Sequence, residues 1–151
     1  MNPSDFQTPA WVCALMVRRI PLSANTILEP TPGEGNLVKA IKVEFPNATV
    51  YEGLPFHCVD CIVANPPFTP MKLGYEMLET FFKLSSNIVI IMPWLALINS
   101  QKRTKDYIER GLKQIIHLPR SVFAGSRVQT CILIFEKGYQ GQITFQVAEE
   151  R

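Results

Sequence analysis

The chain has 151 residues, of which 47% are hydrophobic and 19% charged, so we expect one folded domain and exclude a disordered chain. No run reaches 18 consecutive apolar residues, which excludes a membrane-spanning helix, and residues 1–11 lack the basic-then-apolar pattern of a secretory signal. We therefore expect a cytoplasmic protein. The net charge is +2, but residues 101–137 alone hold 8 Lys or Arg against 3 Asp or Glu. This local excess is compatible with phosphate contacts and equally with a solvated helix face.

Hydrophobic periodicity, together with the prolines and glycines, divides the chain into short elements. Thr8-Pro9 is typical of a helix start, with Thr8 as the N-cap, and the pattern predicts a helix from there to Ile20. Strands are predicted at 26–29, 48–52, 59–64, 87–92, 114–118 and 130–136, with a further candidate at 142–147. Helices are predicted at 36–45, 73–82 and 103–112. Strands alternate with helices early in the chain and cluster late. This order indicates an α/β fold with an open, mostly parallel sheet and an antiparallel strand or hairpin near the C-terminus.

The first candidate site is the turn Pro30-Thr31-Pro32-Gly33-Glu34-Gly35, between a predicted strand and a helix. Glycines let the backbone approach a ligand closely, and the following helix offers unpaired N–H groups. In dinucleotide-binding proteins such a helix end binds a pyrophosphate. Here Glu29 ends the strand and Glu34 lies in the turn, which disfavours a phosphate and favours a ligand that carries an ammonium group. A tight turn without a ligand is the structural alternative.

The second candidate is Asn65-Pro66-Pro67-Phe68, which follows a predicted buried strand. The two prolines lack N–H groups and hold an extended path, so their carbonyls point outward. The side-chain oxygen of Asn65 and a proline carbonyl can accept two hydrogen bonds from one flat amino group, and Phe68 can stack on the ring that bears it. Open α/β sheets bind ligands at the carboxyl ends of their strands, which favours a site over a rigid turn.

These segments, in this order, resemble the S-adenosylmethionine-dependent DNA N6-adenine methyltransferases, above all the modification subunit of type I restriction systems. Residues 5–9 are similar to the family's N-terminal Thr-Pro element, and residues 28–35 to its acid-Pro-x-x-Gly-x-Gly loop. Residues 60–68 resemble its catalytic strand and Asn-Pro-Pro-aromatic loop, and residues 118–123 with 128–137 its late strand pair. The resemblance implies a Rossmann-like methyltransferase fold, with residues 1–151 forming a single catalytic domain and no separate target-recognition domain.

The resemblance also implies S-adenosylmethionine as the cofactor and a role for each matched residue. An adenine would leave the DNA stack, lie on Phe68 and donate its N6 protons to the side chain of Asn65 and the carbonyl of Pro66. Positioning and electrostatics would carry the transfer, without a covalent enzyme intermediate. The implied catalytic residues are Asn65, Pro66, Pro67 and Phe68. The implied cofactor-binding residues are Phe6, Gln7, Thr8, Glu29, Pro30, Thr31, Gly33, Gly35 and, at the ribose hydroxyls, Glu52.

Nucleic acid is the implied partner, DNA ahead of RNA, together with either a specificity subunit or a second copy of the chain; no membrane partner is expected.

Other groups are interpreted as structural. His57, Cys58 and Cys61 have no second pair of metal ligands, so no metal site is expected. Trp94 either packs in the core or lines a target pocket, and His117 is interpreted as a strand residue.

The chain departs from the family after Glu52, where the family has a helix and a third strand. Only the six residues 53–58 precede the next predicted strand here, whereas a helix alone needs about 11. We therefore expect a reduced fold, in which this helix–strand unit and its acid for the cofactor's adenine are missing. Three alternatives stay open: methylation of an RNA base (guanine N2 or adenine N6), methylation of a protein glutamine, for which Tyr in place of Phe68 is usual, and a catalytically inactive binding or regulatory protein.

Overall fold

The computed structural model describes residues 7–123 and 125–150 of the chain, and strands and helices alternate along most of this length. The strands are β1 (Thr26–Glu29), β2 (Thr49–Glu52), β3 (Cys61–Ala64), β4 (Asn87–Pro93), β5 (Leu112–Leu118), β6 (Thr130–Glu136) and β7 (Thr144–Val147). The helices are α1 (Ala10–Val17), α2 (Asn36–Glu44), α3 (Met71–Leu84), α4 (Trp94–Ile98) and α5 (Gln101–Glu109). A 3-10 turn, Arg120–Val122, follows β5.

The strands form one sheet in the order β2-β1-β3-β4-β6-β5-β7. β1 pairs in parallel with β2 and β3, β3 with β4, and β5 with β7. β6 is antiparallel to both of its neighbours, β4 and β5. The predicted open and mostly parallel sheet with an antiparallel strand near the C-terminus is confirmed. Because every strand except β6 runs in the same direction, their carboxyl ends lie along one edge of the sheet.

Two apolar clusters cover the two faces of this sheet. Side chains alternate across a strand, so neighbouring residues belong to opposite clusters. Ile27, Val63 and Val89 pack with α1 and α2, whereas Leu28 and Ile62 pack with α3. Both faces of the central strands are therefore covered, which explains why these strands read as continuous apolar runs in the sequence. None of the described helices has the length and apolar composition needed to cross a membrane.

Residues 53–60 contain neither a helix nor a strand, so β2 is the edge strand of the sheet. The segment leaves the carboxyl end of β2 and packs on α3. The ring of Phe56 meets Phe81 edge to face at 6.0 Å, and the N–H of Val59 donates to Leu84 O at 3.1 Å. The expected reduction of the fold at this place is confirmed.

Strand boundaries agree with the predictions to within two residues, whereas two helix ends do not. α1 ends at Val17, three residues before the predicted Ile20. The helix predicted at 103–112 is wrong at its C-terminus, since α5 ends at Glu109 and Leu112 already belongs to β5. Gly111 causes the change of direction. It has a φ of +96°, and a Cβ on it would lie 2.0 Å from Glu136 O. Only glycine takes this conformation so close to another strand.

Two further local predictions differ from the structure. Pro9, not Thr8, holds the N-cap position of α1, and no side chain caps that helix. The short helix α4 is absent from the predictions, because its sequence, WLALI, directly continues an apolar strand and shows no helical periodicity of its own.

Candidate active site

Hydrogen bonds join three sequence-distant segments at the carboxyl ends of β1 and β3. The hydroxyl of Thr31 donates to Asn65 O at 3.3 Å, and Asn65 Nδ2 donates to Thr8 Oγ1 at 3.1 Å. Asn36 Nδ2, at the start of α2, donates to Thr8 O at 3.0 Å. The structure thus brings together the Thr-Pro element, the glycine turn and the Asn-Pro-Pro loop, which we call the site segments: residues 7–9, 30–36 and 65–68.

The glycine turn takes a shape that other residues adopt only with strain. Gly33 has a φ of +55° and Gly35 a φ of +89°. A Cβ on Gly33 would lie 2.9 Å from Gln7 Nε2, whereas a Cβ on Gly35 would have no atom within 4 Å. Gln7 Oε1 also accepts from Glu34 N at 3.1 Å. Gln7 therefore covers one side of the turn, while Gly35, the N-cap of α2, faces open space.

Glu29, the last residue of β1, is fully buried. Its Oε1 lies 3.5 Å from the hydroxyl of Thr31, and its Oε2 has no hydrogen-bond partner among the residues that the structure describes. Burial raises the pKa of this carboxyl to about 8, although hydrogen bonds from the backbone and side chain of Thr31 lower it. A buried oxygen without a partner is costly, which makes this atom a candidate acceptor for a donor group on a ligand.

The Asn-Pro-Pro loop follows β3 directly and packs closely against α3. Pro66 is buried, and Phe68 is half-buried with its ring against the apolar cluster of α1 and α2. The amide nitrogen of Asn65 is directed at Thr8, and its Oδ1 is at the other end of the amide group. Gly74 of α3 lies near the loop, and a Cβ there would be in ordinary van der Waals contact with Pro67 O, at 3.5 Å.

The remaining predicted residues lie apart from the site segments or outside the described range. Glu52 ends β2 and is the register partner of Glu29, but 47% of its side chain is exposed, and Lys42 Nζ lies 3.6 Å from its carboxylate. Phe6 lies outside the described residues. Sequence reasoning gives Asn36 no role of its own, because nothing local in the sequence marks it as a partner of Thr8.

Trp94, for which the sequence leaves packing and a place in a target pocket open, contacts His117, which is interpreted from the sequence as a strand residue. Trp94 Nε1 donates to His117 Nδ1 at 2.7 Å, and its ring centroid lies 5.8 Å from that of Phe145 in β7. Trp94 therefore packs across β4, β5 and β7.

Among the described residues, no group of three or more His, Cys, Asp or Glu side chains could hold a metal ion.

The basic segment, residues 101–137, contains arginines that pair with neighbouring side chains and arginines that are exposed. The guanidinium of Arg103 lies 3.7 Å from the centre of the Tyr75 ring, and Arg110 pairs with Glu79 at 3.0 Å. Arg120 and Arg127 are exposed, and they lie after β5 and before β6, at the same edge of the sheet as the site segments. Only part of the positive charge is therefore available to a partner at that edge.

No family model matches this chain, and a search of curated proteins finds no match. Solved structures do match. A protein described as a modification subunit of a type I restriction enzyme from Vibrio vulnificus superposes with a TM-score of 0.74 and 16% identity, over 97% of this chain and 48% of the other. A type I restriction-modification methyltransferase subunit from Streptococcus thermophilus gives a TM-score of 0.68 and 14% identity, over 97% and 49%.

A protein described as a class I S-adenosylmethionine-dependent methyltransferase from Listeria monocytogenes gives a TM-score of 0.70 and 14% identity, over 95% of this chain and 66% of the other. This chain has the methyltransferase fold. The predicted Rossmann-like methyltransferase architecture is thereby confirmed, and the structural neighbours include the type I modification subunits that the sequence resembles. The chain spans about half the length of the two modification subunits.

Proposed function

We propose that this chain is an S-adenosylmethionine-dependent methyltransferase domain that acts on the N6 amine of adenine in DNA. The observation that carries the proposal is the bonding of the Asn-Pro-Pro loop to the glycine turn through Thr31 and to the Thr-Pro element through Thr8. A loop suited to a flat amine thus stands beside a turn suited to an ammonium-bearing ligand. The fold shared with modification subunits supports this assignment.

The residues present fit the methionine end of the cofactor. The unpartnered Oε2 of the buried Glu29 is suited to an ammonium donor, and the open side of Gly35 leaves the start of α2 accessible. Gln7 and Thr8 border the same turn. Glu52 would accept from the ribose hydroxyls. When bound, S-adenosylmethionine supplies an electrophilic methyl group on its sulfonium.

In this proposal the chain acts on the amine by holding it. Oδ1 of Asn65 and the carbonyl of Pro66 accept the two N–H bonds of the amino group, which leaves the nitrogen lone pair directed at the methyl donor. Phe68 stacks on the adenine ring and excludes water from one side. These roles need orientation and preformed acceptors and no covalent intermediate.

Charge at the same edge of the sheet favours DNA over a protein substrate. Exposed Arg120 and Arg127 lie on segments that flank β5 and β6, where they can contact phosphates. A specificity subunit or a second copy of the chain would supply the further DNA contacts, as the association of type I subunits in a related structure supports.

A second candidate, a binding protein without catalysis, is favoured by one observation. A loop at residues 53–60 takes the place of the helix and strand that would flank the cofactor's adenine, and Glu52 faces solvent beside Lys42. Such a protein would keep the fold and bind nucleic acid without transferring a methyl group.

Transfer of labelled methyl groups to DNA, RNA and protein tests the proposal, with Asn65→Ala as the matched variant. We expect label in adenine-containing DNA, as N6-methyladenine, and a loss of at least about 100-fold in Asn65→Ala with cofactor binding retained. Label found only in RNA, or only in protein, would mean that the substrate is not DNA. Equal turnover in the variant would refute the role of Asn65, and DNA binding without any transfer would favour the second candidate.

A further inference from the structure

We infer that Thr8 is a positioning residue, whose hydroxyl holds the Asn65 side-chain amide in place for the amine. The inference rests on the proposed function and deepens it. It differs from the cofactor contact that the resemblance assigns to the Thr-Pro element, because it concerns the second substrate.

The two ends of an asparagine amide have nearly the same shape but opposite hydrogen-bonding character. An amine needs the oxygen of Asn65, and an amide turned by 180° would present N–H groups instead. The hydroxyl of Thr8 accepts from Nδ2 at 3.1 Å, so Thr8 holds the amide by its nitrogen end. The placement of the Asn65 side chain therefore involves a hydroxyl that lies 57 residues away in the sequence.

Thr8 is itself held in place from several directions. Only 4% of the residue is exposed, and its carbonyl accepts from Asn36 Nδ2 at 3.0 Å and from Cys13 Sγ at 3.5 Å. Pro9 follows it and restricts its backbone to extended conformations. The hydroxyl thus has a fixed position relative to α1 and α2, which is what a positioning group requires.

Thr8→Val keeps the shape of the side chain and removes the acceptor, whereas Thr8→Ser keeps the hydroxyl. If Thr8 positions Asn65, Thr8→Val lowers kcat about 10-fold to 100-fold at saturating cofactor, because a misplaced group costs up to about that much. The dissociation constant for the cofactor changes at most about threefold, and Thr8→Ser restores kcat to within about threefold. A role in cofactor binding alone predicts the reverse: a raised dissociation constant and an unchanged kcat.

Thr26→Val is the matched control. Thr26 Oγ1 accepts from Asp60 N at 2.9 Å, at the amino end of β1 and hence at the opposite edge of the sheet. Like Thr8→Val, this variant replaces a threonine with a β-branched residue of the same shape and loses one hydrogen bond made by the hydroxyl. We expect its kcat to equal that of the wild type.

A second readout needs no activity. In the ¹⁵N–¹H spectrum of the full chain, the side-chain amide of Asn65 is assigned by its disappearance in Asn65→Ala. We expect its protons to exchange with solvent about fivefold faster in Thr8→Val than in the wild type, Thr8→Ser or Thr26→Val, because one hydrogen bond is lost.

The two readouts separate failure of this inference from failure of the proposed function. If the wild type transfers no methyl group, the proposed function fails, and the exchange of the Asn65 amide still decides the role of Thr8. Equal exchange in Thr8→Val and Thr26→Val would overturn the inference. An unchanged kcat in Thr8→Val of an active protein would overturn it as well.

Discussion

Glu29 and Glu52 are register partners at the carboxyl ends of neighbouring strands, yet their surroundings differ. Glu29 is fully buried among the site segments, and one of its oxygens has no partner among the described residues. Glu52 is half exposed beside Lys42 and borders the loop at residues 53–60. The comparison indicates that the methionine end of the proposed cofactor site is preformed and that its adenine end is reduced.

The difference between Glu29 and Glu52 is tested most strongly by neutralising each carboxylate in turn. Glu29→Gln is expected to weaken S-adenosylmethionine binding at least about 100-fold, because the proposed ammonium group would lose a buried carboxylate as its partner. Glu52→Gln is expected to weaken it about tenfold, since a half-exposed carboxylate is screened by solvent. Equilibrium dialysis measures both. Equal losses, or a larger loss in Glu52→Gln, would contradict the comparison.

The buried carboxylate also predicts how stability depends on pH in the absence of cofactor. The folded pKa of Glu29, about 8, exceeds its ordinary value of 4.5, so the folded state holds this proton more tightly than the unfolded state. The free energy of unfolding therefore falls as pH rises from about 5 to about 8, by up to several kcal/mol.

Urea unfolding of the wild type and Glu29→Gln across this pH range checks the prediction, with Glu52→Gln as the control. The fall should be absent in Glu29→Gln and unchanged in Glu52→Gln. A similar pH slope in all three proteins would mean that Glu29 is not the titrating group.

Three glycines with positive φ allow a further test of the difference between the two ends of the proposed cofactor site, with smaller expected effects on affinity. Alanine at Gly33, Gly35 or Gly53 costs about 1–2 kcal/mol of backbone strain at each position. Only at Gly33 would the new Cβ also displace a side chain, that of Gln7. We expect Gly33→Ala to weaken cofactor binding about tenfold, Gly35→Ala less, and Gly53→Ala, at the β2 edge, by under about twofold. Binding and thermal melts of the three variants separate affinity from stability, and equal affinities would refute the ranking.

The sequence predicts local features of this fold well, because strand patterning is local. The strand at 130–136 is an apolar run buried on both faces, and β6 begins and ends there. The end of α5 also has a local signal, because Gly111 directly follows the C-cap Arg110, and the helix prediction to residue 112 passes over it. Thr8 shows the limit of local patterns within the site, since a threonine before proline reads locally as an N-cap, whereas its hydroxyl accepts from Asn65 of another loop.

The account depends most directly on whether the site segments bind the cofactor despite the loop at 53–60. Calorimetric titration of the wild-type chain with S-adenosylmethionine at pH 8, where Glu29 is substantially ionised, measures this. The account predicts saturable binding with one site per chain, retained in Asn65→Ala and Thr8→Val. No detectable binding at millimolar cofactor would contradict it.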